Sequence, residues 1–161
     1  MSKDDLVSKK QKNVLKVLAG VLRENNIPFQ ISGGLAAIIY GAKNRKLFDI
    51  DIDVSGKDLP KITLFFSDYI VRPLQKYKDD NFEINLMTLK INDVFIDITQ
   101  AENIYFISKT GEKIYENIDL AHPAIIDFAS MRLPVENKDN LIRYKRFLGR
   151  ETDIKDVEEI E

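Results

Sequence analysis

Between Phe48 and Val54 the chain alternates Asp49, Asp51 and Asp53 with Ile50, Ile52 and Val54. Residues two apart in a strand share a face at roughly 6–7 Å, so the spacing predicts three carboxylates in line opposite an apolar face. Two such charges repel by about 2.5 kcal/mol at an effective dielectric of about 20, and Asp has poor strand propensity. A positive partner relieves both costs. Mg²⁺ is the natural one, a hard cation that takes carboxylate oxygens and usually completes its shell with substrate phosphates. The alternative is a solvent-facing edge strand whose charges deter aggregation. A calcium loop fails on spacing, because Val54 and Pro60 stand where Gly and Glu are required. Asp97 lies in a second apolar run, Val94-Phe-Ile-Asp-Ile98. It joins the first three if the two strands are neighbours, and is otherwise one exposed position of a hairpin.

Upstream, Ser32-Gly33-Gly34 stands between a short strand, Ile27 to Ile31, and a compact apolar helix, Leu35 to Tyr40. Glycine lets backbone approach a ligand closely, and a helix N-terminus offers free N–H groups to a phosphate. The turn is neither the dinucleotide fingerprint nor a P-loop. Its meaning comes from its place before Asp-x-Asp.

Composition narrows the chemistry further. The 161 residues contain no cysteine and one histidine, His122. That excludes a disulfide scaffold, a Cys-ligated zinc or iron–sulfur centre, thiol catalysis and any multi-His metal site. His122 reads as a loop or packing residue. Hydrophobic residues at 44% allow a buried core, and 24 basic against 26 acidic residues argue against a broad nucleic-acid surface. Lys43, Arg45 and Lys46 form a local basic cluster. The first residues, MSKDDLVSKKQKN, lack the apolar stretch of a signal peptide. No run is long enough for a membrane span, so the default expectation is a cytoplasmic protein without membrane contact.

The elements that must position these groups follow from periodicity. Val14 to Leu22 repeats at helical spacing and ends near Asn25-Asn26. Asp58 to Asp68 reads as a helix. Phe82 to Thr99 reads as a hairpin turning at Asn92-Asp93, a pair that tolerates positive φ. Residues 101–129 have little punctuation and no clear assignment. Leu133-Pro-Val135 is extended. Asn137 is placed to cap a helix ending at Gly149, and Thr152 to cap a last helix through Ile160. The pattern is an α+β domain.

The order strand, Gly33-Gly34, helix, Asp49-Ile-Asp51, then a third carboxylate at Asp97 resembles the nucleotidyltransferase superfamily typified by DNA polymerase β, in its minimal bacterial and archaeal members. Arg45 keeps the family's register before Asp49, with Leu47 where Thr is common. The tail Leu141-Ile-Arg-Tyr-Lys145-Arg-Phe-Leu-Gly149-Arg150-Glu-Thr-Asp153-Ile-Lys-Asp156 is similar to the family's ending. The resemblance implies one domain over residues 1–161, with a small mixed catalytic sheet at about 27–100, flanking helices, and C-terminal helices at about 137–161. It implies an enzyme that moves a nucleoside monophosphate from an NTP, such as ATP, to an acceptor hydroxyl on RNA, protein or a small molecule. In that reading Asp49, Asp51 and Asp97 are catalytic and hold Mg²⁺ in a two-metal site. Ser32, Gly33, Gly34, Arg45, Lys145 and Arg150 contact the nucleotide, although Lys145 and Arg150 also fit an ordinary solvated helix face. Asp53 has no assigned role. Relatives include antibiotic-modifying enzymes and toxins of toxin–antitoxin systems, so the partners implied are an NTP, an acceptor such as tRNA and, for a toxin, an antitoxin. The alternative is a catalytically silent nucleotide- or partner-binding module on the same fold.

Overall fold

The computed structural model describes residues 3–43 and 45–161. Ser8 opens α1 (Lys9–Glu24) with a reciprocal cap: its hydroxyl accepts from the Gln11 N–H, and the Gln11 side chain accepts from the Ser8 N–H. Val14, Leu15, Leu18, Ala19 and Leu22 face the core at helical spacing. β1 (Phe29–Ser32) leads directly into α2 (Gly33–Tyr40), which is buried along Leu35–Ile39 and so carries no polar stripe. The link from α2 to β2 (Asp49–Val54) runs through Asn44, which lies outside the described residues. Next come α3 (Leu59–Phe65), β3 (Ile70–Lys78), β4 (Phe82–Ile91), β5 (Val94–Gln100), β6 (Ile104–Ile107), β7 (Lys113–Glu116), β8 (Ala124–Phe128) and β9 (Met131–Val135). Helices α4 (Lys138–Leu148) and α5 (Glu151–Ile160) follow them.

These strands form one mixed sheet in the order β7-β6-β4-β5-β2-β1-β9-β8, with β3 paired to β4 outside that path. The α+β architecture and the C-terminal helices match the sequence reading. The sheet is larger than the small one expected, because β3, β6, β7 and β8 have no clean apolar alternation. β3 is mostly exposed, and β6 and β7 are four residues each. The hairpin is as read, with both turn residues at positive φ (Asn92 48°, Asp93 63°).

Two boundaries and one cap differ from expectation. Residues 58–68 hold a seven-residue helix between two 3₁₀ turns rather than one helix. α5 begins at Glu151, so Thr152 is inside it and Arg150 is the N-cap. Asn137 does precede α4, but its amide donates to the His122 carbonyl (2.7 Å) instead of capping the helix.

β2 is central, antiparallel to β1 and parallel to β5. That disposes of the edge-strand explanation for its acids. Ile50, Ile52, Ile96, Ile98 and Leu133 point the other way, fully buried against α1, α2 and their neighbours. A second apolar cluster of Ile104, Phe106, Tyr144 and Leu148 joins β6 to α4. Among the described residues no helix is long and apolar enough to cross a membrane.

Ile52 is fully buried directly beneath the acids. Ile52→Ala is expected to lower unfolding free energy by about 2–5 kcal/mol, measured by urea denaturation.

Candidate active site

The register of the sheet lines polar residues across it. Thr88 on β4 stands opposite Asp97 on β5, Asp97 opposite Asp51 on β2, and Asp51 opposite Ser32 on β1. Glu136, just past β9, donates its N–H to the Ile31 carbonyl (2.9 Å) and extends the line beyond Ser32. The Thr88 hydroxyl donates to Asp97 Oδ1 (2.7 Å) and fixes that carboxylate's rotation. Asp49 and Asp53 sit one strand step to either side of Asp51. Asp53 is buried and accepts from Gln30 Nε2 (3.0 Å) and the Ser32 hydroxyl (3.2 Å).

The diglycine turn is built around this row. Gly33 has φ +59°, and a Cβ there would overlap the Asp51 carboxylate. The Gly34 N–H, at the start of α2, donates to Asp51, while a Cβ at Gly34 would lie 2.8 Å from an Arg45 Nη. Gly33 is therefore needed both for its positive φ and to admit Asp51, whereas at Gly34 a side chain would displace only the mobile end of Arg45.

Negative charge accumulates here. The Asp51 carboxyl is pushed up to about 8, chiefly by desolvation and then by Asp97, Asp53 and Asp49. Burial raises Asp53 to about 6, against the hydrogen bonds from Gln30 and Ser32. Desolvation and then Asp97 raise Asp49. Glu136 is pushed up to about 8 by burial and then by Asp53. Among the described residues no three His, Cys, Asp or Glu groups already form a closed metal cluster. The donor set nevertheless fits a hard divalent cation: it is all carboxylate oxygen, and its mutual repulsion is what such an ion would cancel.

Positive charge arrives from the C-terminal helices. Lys145 Nζ is buried and lies 2.9 Å from Asp156 and 3.5 Å from Asp153. Arg150 donates Nε to Asp153 Oδ2 (2.6 Å) and an Nη to Oδ1 (3.1 Å). Arg45 pairs with Asp156, and its Nε is buried with no hydrogen-bond partner among the described residues. Asp153 and Asp156 are each 1% exposed, so Lys145 belongs to a buried ion network and not to a solvated helix face, while Arg150, its side chain 41% exposed, joins that network from the rim.

Acids and cations meet at a cavity of about 570 Å³. Ser32, Gly33, Gly34, Arg45, Asp51, Asp97, Lys145 and Arg150 all line it. Asp49 does not; it is half-buried at the start of β2 and senses the site through Asp97. His122 is in an exposed loop, 2.8 Å from Asp119, consistent with a loop role. Sequence reasoning passed over Thr88, Glu136, Arg72 and Tyr77. Thr88 follows the apolar alternation of β4 and Glu136 closes that of β9, signals too weak without a partner strand.

Residues 13–105 match the family model for aminoglycoside-2''-adenylyltransferase. The chain belongs to that family. Its span takes in the diglycine turn, β2 and Asp97, and this family member is a nucleotidyltransferase. Among curated proteins none matches the sequence. Among solved structures, a Thermotoga maritima protein described as a nucleotidyltransferase superposes with TM-score 0.73 at 17% identity, over 94% of this chain and 92% of that one. The lincosamide antibiotic adenylyltransferase LnuA, lincomycin-bound, superposes with TM-score 0.62 at 17% identity, over 96% of each chain. ANT(2'')-Ia in complex with adenylyl-2''-tobramycin gives TM-score 0.61 at 16% identity, over 94% and 88%. At these identities the likeness concerns the fold.

The raised carboxyls set a pH dependence. Between about pH 4 and 8 the native state holds protons that the unfolded chain has released, so stability falls as pH rises through that window. Groups held low, such as Asp79 and Glu83, act below it. In metal-free buffer, melting temperature should drop from about pH 5 to 8, and Asp51→Asn should flatten the drop and raise the value at about pH 8. Calorimetry of both proteins with a chelator present checks this.

Proposed function

We propose that the protein transfers a nucleoside monophosphate, by family an adenylyl group from ATP, to a hydroxyl of a small-molecule acceptor, with Mg²⁺ held by Asp49, Asp51 and Asp97. The observation that carries the reading is the pairing of Asp51 with Asp97 across β2 and β5, beside the start of α2 and inside the cavity. The bound ion would supply charge neutralisation on the transferred phosphoryl group and alignment of attacking and leaving oxygens.

The chain's own groups do the rest. Ser32 and the turn at Gly33-Gly34 border the phosphate-binding end, where Arg45 and Lys145, which share Asp156, add positive charge, and Arg150 lies further along the wall over Phe82. Asp153 and Asp156 keep those cations extended, which reduces reorganisation when the triphosphate enters. Thr88 orients Asp97 towards the acceptor oxygen. That oxygen bonds to the α-phosphorus, the bond to the oxygen bridging to the β-phosphate breaks, pyrophosphate leaves, and the hydroxyl proton passes to the Asp97 side of the site.

Support for a small acceptor comes from the cavity volume and from structurally similar proteins solved with lincomycin or adenylyl-2''-tobramycin bound. An antitoxin partner draws no support from these relatives. Because the cavity wall runs from Ser32 to Asp153, we read the sheet and the C-terminal helices as one functional unit.

The test is calorimetric titration with ATP in the presence and absence of Mg²⁺, followed by transfer assays. Wild type should bind ATP only with the ion present. Asp51→Asn and Asp97→Asn should retain the fold and lose about a thousandfold or more in transfer rate, equivalent to several kcal/mol of barrier. Metal-independent binding unchanged by both substitutions would sink the proposal.

A further inference from the structure

The cavity wall contains four cations, Arg45, Arg72, Lys145 and Arg150. Three are paired with Asp153 or Asp156. Arg72 makes no ion pair or hydrogen bond to any of the described residues; its guanidinium lies over the Tyr77 ring at 5.0 Å from the centroid. Tyr77 is fixed in turn, its hydroxyl donating to Asp79 Oδ2 (2.7 Å) while Asp79 Oδ1 accepts the N–H groups of Asn81 and Phe82 (2.8 Å each). A half-buried guanidinium is thus held ready, without a counter-ion.

Its aim is set by irregularities in β3. Ile70 stands opposite Leu89, which faces the core, but Arg72 stands opposite Thr88, Gln75 opposite Leu86 and Tyr77 opposite Ile84. Thr88, Leu86 and Ile84 share the cavity face of β4. In a regular strand Ile70 and Arg72 would share one face, and Arg72 and Tyr77 would oppose each other. Register shifts between Ile70 and Arg72, and again between Arg72 and Gln75, turn both Arg72 and Tyr77 to the cavity. Bulges beside active sites commonly re-aim side chains in this way. Pro73, within the irregular stretch, is tolerated because β3 pairs with β4 alone and the regular register is broken there.

Arg72 therefore extends the functional row as Arg72–Thr88–Asp97–Asp51–Ser32. It occupies the end beyond Asp97, opposite the end where the glycine turn and its neighbour Arg45 stand; of the C-terminal cations, Arg150 reaches towards Arg72's side, over the Phe82 ring at 5.3 Å from the centroid. On the reading of the previous subsection, that end receives the acceptor. We propose that Arg72, seated on Tyr77, recognises an anionic group on the acceptor, so that the substrate is a small hydroxyl compound bearing a phosphate or carboxylate and not a polycation. This inference rests on the proposed nucleotidyl transfer. A planar guanidinium with its donor edge free suits either oxyanion, whereas a polycation here would face an uncompensated like charge.

The experiment supplies purified protein with Mg²⁺ and ATP radiolabelled at the α-phosphate, and offers it four acceptor pools. These are the anion-retained, cation-retained and neutral fractions of a bacterial small-molecule extract, and tobramycin. Label should appear in the anion-retained pool. Phosphatase pretreatment of that pool abolishes labelling if the group is a phosphate and spares it if the group is a carboxylate. Arg72→Ala should raise the acceptor KM about tenfold or more while leaving the ATP KM nearly unchanged, and Arg72→Lys should restore part of the loss. Equal melting temperatures verify folding, and Tyr77→Leu, which removes the seat and keeps the cation, should also weaken acceptor binding. Label confined to tobramycin or to the cation-retained or neutral pools, or an Arg72→Ala effect falling on the ATP KM, overturns the assignment and leaves nucleotidyl transfer standing. Absence of label from every pool overturns both.

Discussion

The structure depends on keeping like charges together in the middle of a sheet. β2 is paired on both sides, so its acids cannot swing out to solvent as they would on an edge, and the parallel register with β5 brings Asp97 beside Asp51. The cost is carried by the apolar reverse face, where Ile50, Ile52, Ile96 and Ile98 are fully buried. A rigid hydrophobic layer holds the carboxylates where repulsion alone would part them. The Asp51 carboxyl is raised chiefly by its burial and then by its acidic neighbours, and a divalent ion is the chemistry that such a site fits.

The same logic, with opposite sign, organises the roof of the cavity. Arg45, from the segment before β2, meets Lys145 and Arg150, from the C-terminal helices, and all three are gathered by two buried carboxylates, Asp153 and Asp156. Three cations on two anions leave an excess of positive charge over the cavity. Burying such a network is costly unless each group is well satisfied; the unpartnered Arg45 Nε is the place where it is not. The network also ties α5 to the segment before β2, so the roof and the acidic floor are held in one arrangement.

Much of this was legible in the sequence where periodicity is strong. Alternation of Asp with Ile marked β2, Asn92-Asp93 marked the hairpin, and Gly149 marked the end of α4. Elements whose stability comes from tertiary context were not legible. β3 is a mostly exposed strand interrupted by Pro73 and irregular in register, so its side-chain period is broken where it matters. β6 and β7 owe their form to pairing with β4 and with each other. Asp153 and Asp156 read equally well as surface partners on a helix, because i,i+3 spacing does not reveal burial.

The sequence by itself determined which groups are present for chemistry: clustered carboxylates without a thiol, a diglycine turn before them, and Lys and Arg side chains in the C-terminal segment. It also determined that the acids share one strand face, since that follows from a two-residue repeat. Only the tertiary structure decided that β5 lies parallel beside β2, that Gly33 makes room for Asp51 and not only for a turn, and that bulges aim Arg72 at the cavity. Strand order and register are long-range properties, fixed by how separate apolar faces bury one another, and no local pattern encodes them.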